Sequence, residues 1–350
     1  MKSKPALVGR SRRTRAFAVL AAACTGLLAT ALLSGFHIGV HEIQPESGTT
    51  TSELVTPEII GIRTFAAPTD IRVTEDVVYG TRADGTLLTL DVCAPAEAGT
   101  ERPAVLSIHG GSWARGDKAN ADWRAVCQWL ASEGFVAYSL NYRLVPESLF
   151  PAAIDDVELA ARWVRAPANA ERFGIDPARL GAFGGSAGGN LAALLGTRGT
   201  GPLDRGSRVA AVAELSAPID LRRAAVVRDG GNALVQDIIS RYLGCAEWAL
   251  CPQAEDASPS TFIDQSDPPF LIGHADAEFI PLAQSQNFAA ALAAAGVGVE
   301  LVTAPGDDHS IGILDAAMRE RVAAFFHDAL AGAAPQRAAL SGGAGPGSSR

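Results

Sequence analysis

The sequence has no G-x-G-x-x-G fingerprint and no glycine loop followed by the lysine that a nucleotide-phosphate cradle requires. It also lacks Cys/His spacing of a metal site and any repeat at a solenoid or propeller period. Dinucleotide enzymes, P-loop NTPases, zinc modules and repeat arrays are thereby excluded, and no cofactor or metal is expected. Positive charge is scarce: 29 Lys and Arg face 38 Asp and Glu, and six of the cations (Lys2, Lys4, Arg10, Arg12, Arg13, Arg15) crowd into the first fifteen residues. With those six set aside, 23 cations face 38 acids, a charge of −15 that disfavours a nucleic-acid or anionic-membrane surface. A small neutral or weakly polar substrate fits that balance.

Acids are missing from the first fifteen residues, and Ala16 to Val40 carries no Asp, Glu, Lys or Arg. As a helix that stretch would be roughly 37 Å long, enough to cross a bilayer. The basic arm before it and the acids from Glu42 onward place the N-terminus in the cytoplasm and the rest outside. A cleaved signal peptide ending near Ala29-Thr30-Ala31 competes with an uncleaved anchor, which the continuation of the apolar run to Val40 favours. Either way the remainder is extracytoplasmic, secreted or anchored to the membrane by that segment. Four cysteines then meet an oxidising compartment, Cys93, Cys127, Cys245 and Cys251. Cys245 and Cys251 are near enough in sequence to staple one loop, leaving Cys93 with Cys127.

Residues 41–70, rich in Thr, Pro, Glu and Ser, read as a linker, and 333–350 as a disordered tail of Ala, Gly, Ser and Pro. Between them, over 71–332, short apolar runs alternate with helical patterns. The runs are Val73–Tyr79, Leu87–Cys93, Ala104–His109, Val136–Asn141, Leu180–Phe183, Val209–Leu215, Pro269–Ile272 and Val299–Thr303. The helical patterns are Ala121–Glu133, Ile154–Arg165, Ala187–Gly196, Ala283–Ala295 and Ile311–Leu330. This alternation predicts an α/β domain with a mostly parallel eight-stranded sheet, helices on both faces and a leading antiparallel hairpin. Asp155 and Asp156, at the start of the second helix after Pro151, read as helix-dipole partners rather than a catalytic pair. Ligands of such sheets bind at the carboxyl ends of the strands.

At one such end lies Gly184-Gly185-Ser186-Ala187-Gly188, a G-x-S-x-G turn between a short strand and an apolar helix. Side chains at 184 and 188 would collide with the flanking elements, while the turn lifts the Ser186 hydroxyl over the sheet edge. The Ala187 N–H at the helix start favours a developing negative charge. A serine needs a base, an orienting acid and further oxyanion donors. SIHGGSWARGDK, residues 107–118, supplies Gly110 and Gly111 as donors beside Ala187, with His109 holding the loop. His309, in APGDDHSIG after the last strand, is the base, and Asp276, in PPFLIGHADAEFIP, is the acid, with Glu278, Asp307 and Asp308 as rivals. His274, Asp276 and Glu278 alternate as ligands on a strand can, but nothing else supplies a metal site.

These residues resemble the α/β-hydrolases, within them the esterase/lipase group close to bacterial feruloyl- and acetylesterase-like enzymes and the hormone-sensitive-lipase-like carboxylesterases. The resemblance spans Val73 to Leu330 and rests on LDVCAP, HGGSWARGDK, NYRLVPESLFPAAIDDV, FGIDPARLGAFGGSAGGNLAALLG and PGDDHS. It implies attack by Ser186 on an ester carbonyl, proton relay through His309, orientation by Asp276 and an acyl-enzyme hydrolysed by water, on short acyl or aryl esters and without a cofactor. Asn141-Tyr142-Arg143 is implied to support the floor of the site. Two departures stand out: Ser112 takes the third glycine place of the hormone-sensitive-lipase pattern, and the segment from Asp276 to Pro281 carries an extra residue. An amidase or formamidase with the same triad, or a non-catalytic envelope binding protein of the same fold, are the alternatives. No long apolar lid is evident between Ala217 and Asp267, an interval expected to cap the site.

Overall fold

The computed structural model describes residues 66–331 apart from 98 and 100. The basic arm, the apolar segment, most of the linker and the 333–350 tail lie outside the described residues. Among the described residues no helix is long and apolar enough to cross a membrane.

The chain opens with a hairpin of β1 (Ile71–Thr81) and β2 (Leu87–Pro95), followed by β3 (Arg102–Ile108), α1 (Ala121–Ser132), β4 (Val136–Leu140), α2 (Ala152–Arg165) and α3 (Pro167–Phe173). The second half holds β5 (Ile175–Gly185), α4 (Ala187–Thr197), β6 (Ala211–Leu215), α5 (Arg223–Arg228), α6 (Ala233–Leu243) and α7 (Gln253–Asp256). It closes with β7 (Phe270–Ala275), α8 (Leu282–Ala294), β8 (Val299–Ala304) and α9 (Ala316–Ala329). All eight strands form one sheet in the order β1-β2-β4-β3-β5-β6-β7-β8. The first two pairings, β1 with β2 and β2 with β4, are antiparallel and the rest parallel, as the alternating pattern predicts.

The central strands are buried on both sides because helices cover both faces, which is why they read as continuous apolar runs rather than alternating ones. One face packs Ile154, Val157, Val164, Leu191, Leu194, Phe288 and Leu292 from α2, α4 and α8. The other packs Val126, Leu130, Val322 and Phe326 from α1 and α9. Cys93 of β2 is bonded to Cys127 of α1, and Cys245 to Cys251 just after α6, the pairing that the spacing suggested.

Two sequence expectations are corrected. The last helix does not run from Ile311: Ser310–Ile313 is a 3₁₀ turn, and α9 starts afresh after Asp315, whose carboxylate caps it by accepting the Met318 N–H at 2.9 Å. The Asp155–Asp156 doublet divides, since consecutive helix positions point to different faces. Asp155 stays exposed in the first turn of α2, whereas Asp156 is fully buried and takes Arg143 at 2.9 Å, with Arg82 alongside. Removing one side of such a pair costs about 3–5 kcal/mol, so Asp156 belongs to the scaffold.

Candidate active site

The chain leaves β5 and enters α4 within one residue, and that residue is Ser186, held at φ 55° and ψ −124°. Only a tightly enclosed turn keeps an L-residue in that backbone region. Its N–H donates to Leu215 O at 2.8 Å. A Cβ on Gly184 would run into Gly188 O, and one on Gly188 would run into Ile108 O at the end of β3, so strand, helix and neighbouring loop close on each other without room for side chains. Ala187 opens α4, and its N–H therefore lacks an intrahelical acceptor.

The loop after β3 lies directly against this turn: a Cβ on Gly110 would stand 2.9 Å from Gly185 O and 3.3 Å from Ser186 Cβ. His109 governs the direction of the loop's amides. Its Nδ1 is 2.8 Å from Gly110 O, and since a carbonyl only accepts, Nδ1 carries the proton. That bond turns the Gly110 carbonyl toward the ring and so turns the Gly111 N–H of the same trans peptide the opposite way. Tyr142 donates its hydroxyl to His109 O at 2.8 Å and stacks on the ring at 4.4 Å. Complete burial pushes the His109 pKa down to about 4, which keeps the ring neutral at ordinary pH. Asn141 accepts the Lys118 N–H at 2.6 Å and donates to Asp117 at 2.8 Å, pinning the far end of the loop.

His309 stands at the other side of the turn, after β8. Its Nδ1 meets Glu278 Oε2, its ring lies 4.4 Å from Phe279, and its Nε2 is buried without a protein partner among the described residues. Glu278 accepts at that position, so Nδ1 carries the hydrogen and Nε2 keeps a free lone pair. Here the expected acid is displaced. Asp276 is exposed, and its Oδ1 accepts the Gly306 N–H at 2.9 Å, tying the ends of β7 and β8 together away from His309. Two residues on, the chain has turned inward, and Glu278 brings a fully buried carboxylate under the imidazole. Its other oxygen lies 3.2 Å from His274 Nε2, and His274 is itself fixed by Ile280 O at 2.9 Å and Ser285 Oγ at 2.8 Å. His274 and Glu278 therefore meet each other and Asp276 turns away, so the three do not converge as metal ligands. The sequence signal was present in the second carboxylate of H-A-D-A-E; what it lacked was the direction of the loop.

Ser186, Gly110, Gly111 and His309 line one cavity of about 330 Å³, walled by Trp123, Ile238 and Phe279 among others. A recess of only about 10 Å³ opens on the Ala187 side of the serine, bounded by Trp113, Pro218, Val235 and Ile239. A larger hollow of about 1000 Å³ runs along β8 and α9 past Val302, Met318 and Phe325, open to solvent and touching none of the residues just named. Volume therefore does not locate the chemistry; the convergence of serine, imidazole and free amides does.

The sequence matches the BD-FAE family over residues 90–292, more than half of the chain. The chain belongs to this family of α/β-hydrolase esterases. It is 32% identical over 258 residues to Esterase LipC of Mycobacterium tuberculosis, an alignment covering 69% of this chain and 60% of LipC. Esterase LipQ of the same organism is 28% identical over 291 residues, 80% of this chain and 66% of LipQ, so the chain spans somewhat under two thirds of the length of these curated relatives. Among solved structures, a truncated carbohydrate esterase from gut microbiota superposes with a TM-score of 0.65 at 27% identity, over 74% of this chain and 96% of that one. The Pyrobaculum calidifontis esterase does so with 0.61 at 29% identity, over 73% and 85%. Thermogutta terrifontis esterase 2, solved after phosphonylation by sarin, gives 0.63 at 26% identity, over 73% and 94%. The BD-FAE match begins inside β2 and ends inside α8, so it includes Gly110, Ser186 and Glu278 and stops short of His309.

Proposed function

We propose that the protein is a serine carboxylesterase acting on short-chain acyl or aryl esters through Ser186, His309 and Glu278. The observation that carries this reading is the bare, buried Nε2 of His309, backed by Glu278 at Nδ1 and opening on the same cavity as the Ser186 elbow. His309 Nε2 takes the Ser186 proton as the hydroxyl attacks the ester carbonyl. The Glu278 carboxylate holds the imidazolium in place. The amides of Gly110, Gly111 and Ala187 receive the oxyanion, each such donor being worth about 10²–10³ in rate. His309 then returns the proton to the leaving alcohol, and water repeats the sequence on the acyl-enzyme.

The 10 Å³ recess supports a short acyl group, since a space of that size holds about one water-sized group. The 330 Å³ side is left for the alcohol or aryl group. Export of the chain by its N-terminal segment, cleaved or retained as an anchor, is part of the same proposal and is supported by the two disulfides. The test is turnover of p-nitrophenyl acetate and butyrate with Ser186→Ala alongside. A burst of nitrophenol that the variant reduces to background is the expected result. A folded wild type that is silent on both esters and inert to a fluorophosphonate overturns the reading in favour of a binding protein, while turnover of anilides above esters moves it to an amidase.

A further inference from the structure

Among the residues at this edge of the sheet with left-handed backbone conformations are Ser186 at φ 55°, Ser216 at 56° and Ser310 at 58°. A side chain in that region is strained and persists where its surroundings dictate it. For Ser186 the tight elbow explains the strain. Ser216 and Ser310 take no part in the chemistry proposed above, yet both are buried.

Ser216 is the first residue after β6. Its N–H donates to Gly273 O of β7 at 2.8 Å, and its Oγ accepts the Ser310 N–H at 2.9 Å. Leu215, just before it, gives its carbonyl to the Ser186 N–H at 2.8 Å, and Ala217, just after it, donates to Glu214 Oε2 at 2.9 Å, which closes the turn. One buried turn thus touches the end of the serine's strand, the strand that leads to Glu278, and the loop that carries His309. Ser310 adds a direct contact, because its hydroxyl occupies the place where a Cβ on Gly185 would stand.

We propose that Ser216 is a positioning residue: its hydroxyl oxygen, by holding the Ser310 amide, sets the height of His309 over Ser186. The proposal rests on the triad reading above. Glu278 grips the imidazole at one nitrogen only, so the position of the ring also depends on its backbone. The Ser310 N–H opens the 3₁₀ turn and has no acceptor within it, so Ser216 Oγ is the anchor that fixes the backbone one bond from His309. Reacting atoms need near-contact alignment, and a displacement of about 1 Å costs on the order of 10² in rate.

Two variants separate the hydroxyl from the strained backbone. Ser216→Ala keeps the Cβ and loses the acceptor, and Ser216→Gly loses both the acceptor and the strain. In both, kcat on p-nitrophenyl acetate is expected to fall about 10- to 100-fold with KM within about twofold. The far-downfield proton resonance of the His309 Nδ1–H is expected to shift or broaden in the folded variants. Wild-type kcat in either variant, a loss carried by KM, or an unchanged resonance overturns the proposal. If Ser216→Ala does not fold, Ser216→Gly decides alone: restored activity there means the turn conformation mattered and the hydroxyl did not. A wild type silent on esters, with a resonance that still responds to Ser216→Ala, overturns the ester reading and upholds the positioning role.

Discussion

The end of β5 and the end of β7 face the same cavity and are held by opposite means. At β5, Gly184 and Gly188 let backbone meet backbone, and the serine's place is set by atoms that are not there. At β7, His274 is bonded to Ser285 and Ile280 beside Glu278, Glu278 meets His309, and the place of His309 is set by atoms that must be there. The first kind of order fails when an atom is gained, because interiors are already close-packed. The second fails when a polar atom is lost, because its buried partner keeps the desolvation cost without the bond.

The comparison can be tested from both sides. The largest effect is expected at the β7 end, where Glu278→Gln swaps the carboxylate for an amide under the imidazole. By analogy with an asparagine at the acid of a serine-protease triad, kcat should fall by about 10⁴ while the thermal midpoint stays near that of the wild type. Asp276→Asn is the control, and with its carboxylate occupied by the Gly306 amide it should change kcat less than about threefold and cost only ~1 kcal/mol of stability. A larger kcat loss in Asp276→Asn than in Glu278→Gln would return the acid to Asp276. At the β5 end, Gly188→Ala adds one methyl against the Ile108 and His109 carbonyls, where β3 hands over to the Gly110 loop. A destabilisation of about 3 kcal/mol is expected from chemical denaturation, with kcat reduced in whatever protein stays folded. Indifference to that methyl would mean the elbow is looser than its packing.

The smallest effect is a matter of proton linkage. Glu214 is completely buried on β6, and burial, reinforced by the nearby charge of Glu278, raises its pKa from 4.5 to about 8. Between those values the folded chain keeps a proton that the unfolded chain releases, so the stability this group contributes is full below pH 4.5 and falls until about pH 8. His109 slopes the other way: with its pKa pushed from 6.5 to about 4, its contribution is full above pH 6.5 and is lost toward pH 4. Thermal midpoints of Glu214→Gln across this range should show the alkaline decline flattened and the acid decline retained. An unaltered alkaline slope would assign it to another group.

How much of this could be read in advance follows the same division. The elbow was legible because its requirement is local: five consecutive residues, two of them stripped to hydrogen, state a steric demand. The central strands were legible because burial on both faces leaves unbroken apolar runs. The acid was not, because Asp276 and Glu278 are chemically alike and two residues apart, and only the fold decides which one meets His309 and which meets Gly306. The short helices α5, α6 and α7 between Ala217 and Asp267 were equally hidden, since stretches of four to eleven residues show little periodicity of their own. Within this interval α6 brings Val235, Ile238 and Ile239 to the wall of the recess beside Ser186.

The bond between Cys93 and Cys127 reaches further than its two residues. It joins β2 to α1, and α1 is the helix that carries Trp123 to the cavity wall and packs it against Phe183, three residues before the serine. One side of the pocket is therefore crosslinked to the sheet it leans on, and its stiffness depends on the chain having met an oxidant. The same polypeptide made where thiols stay reduced would carry every residue of the site and a wall held by contact alone.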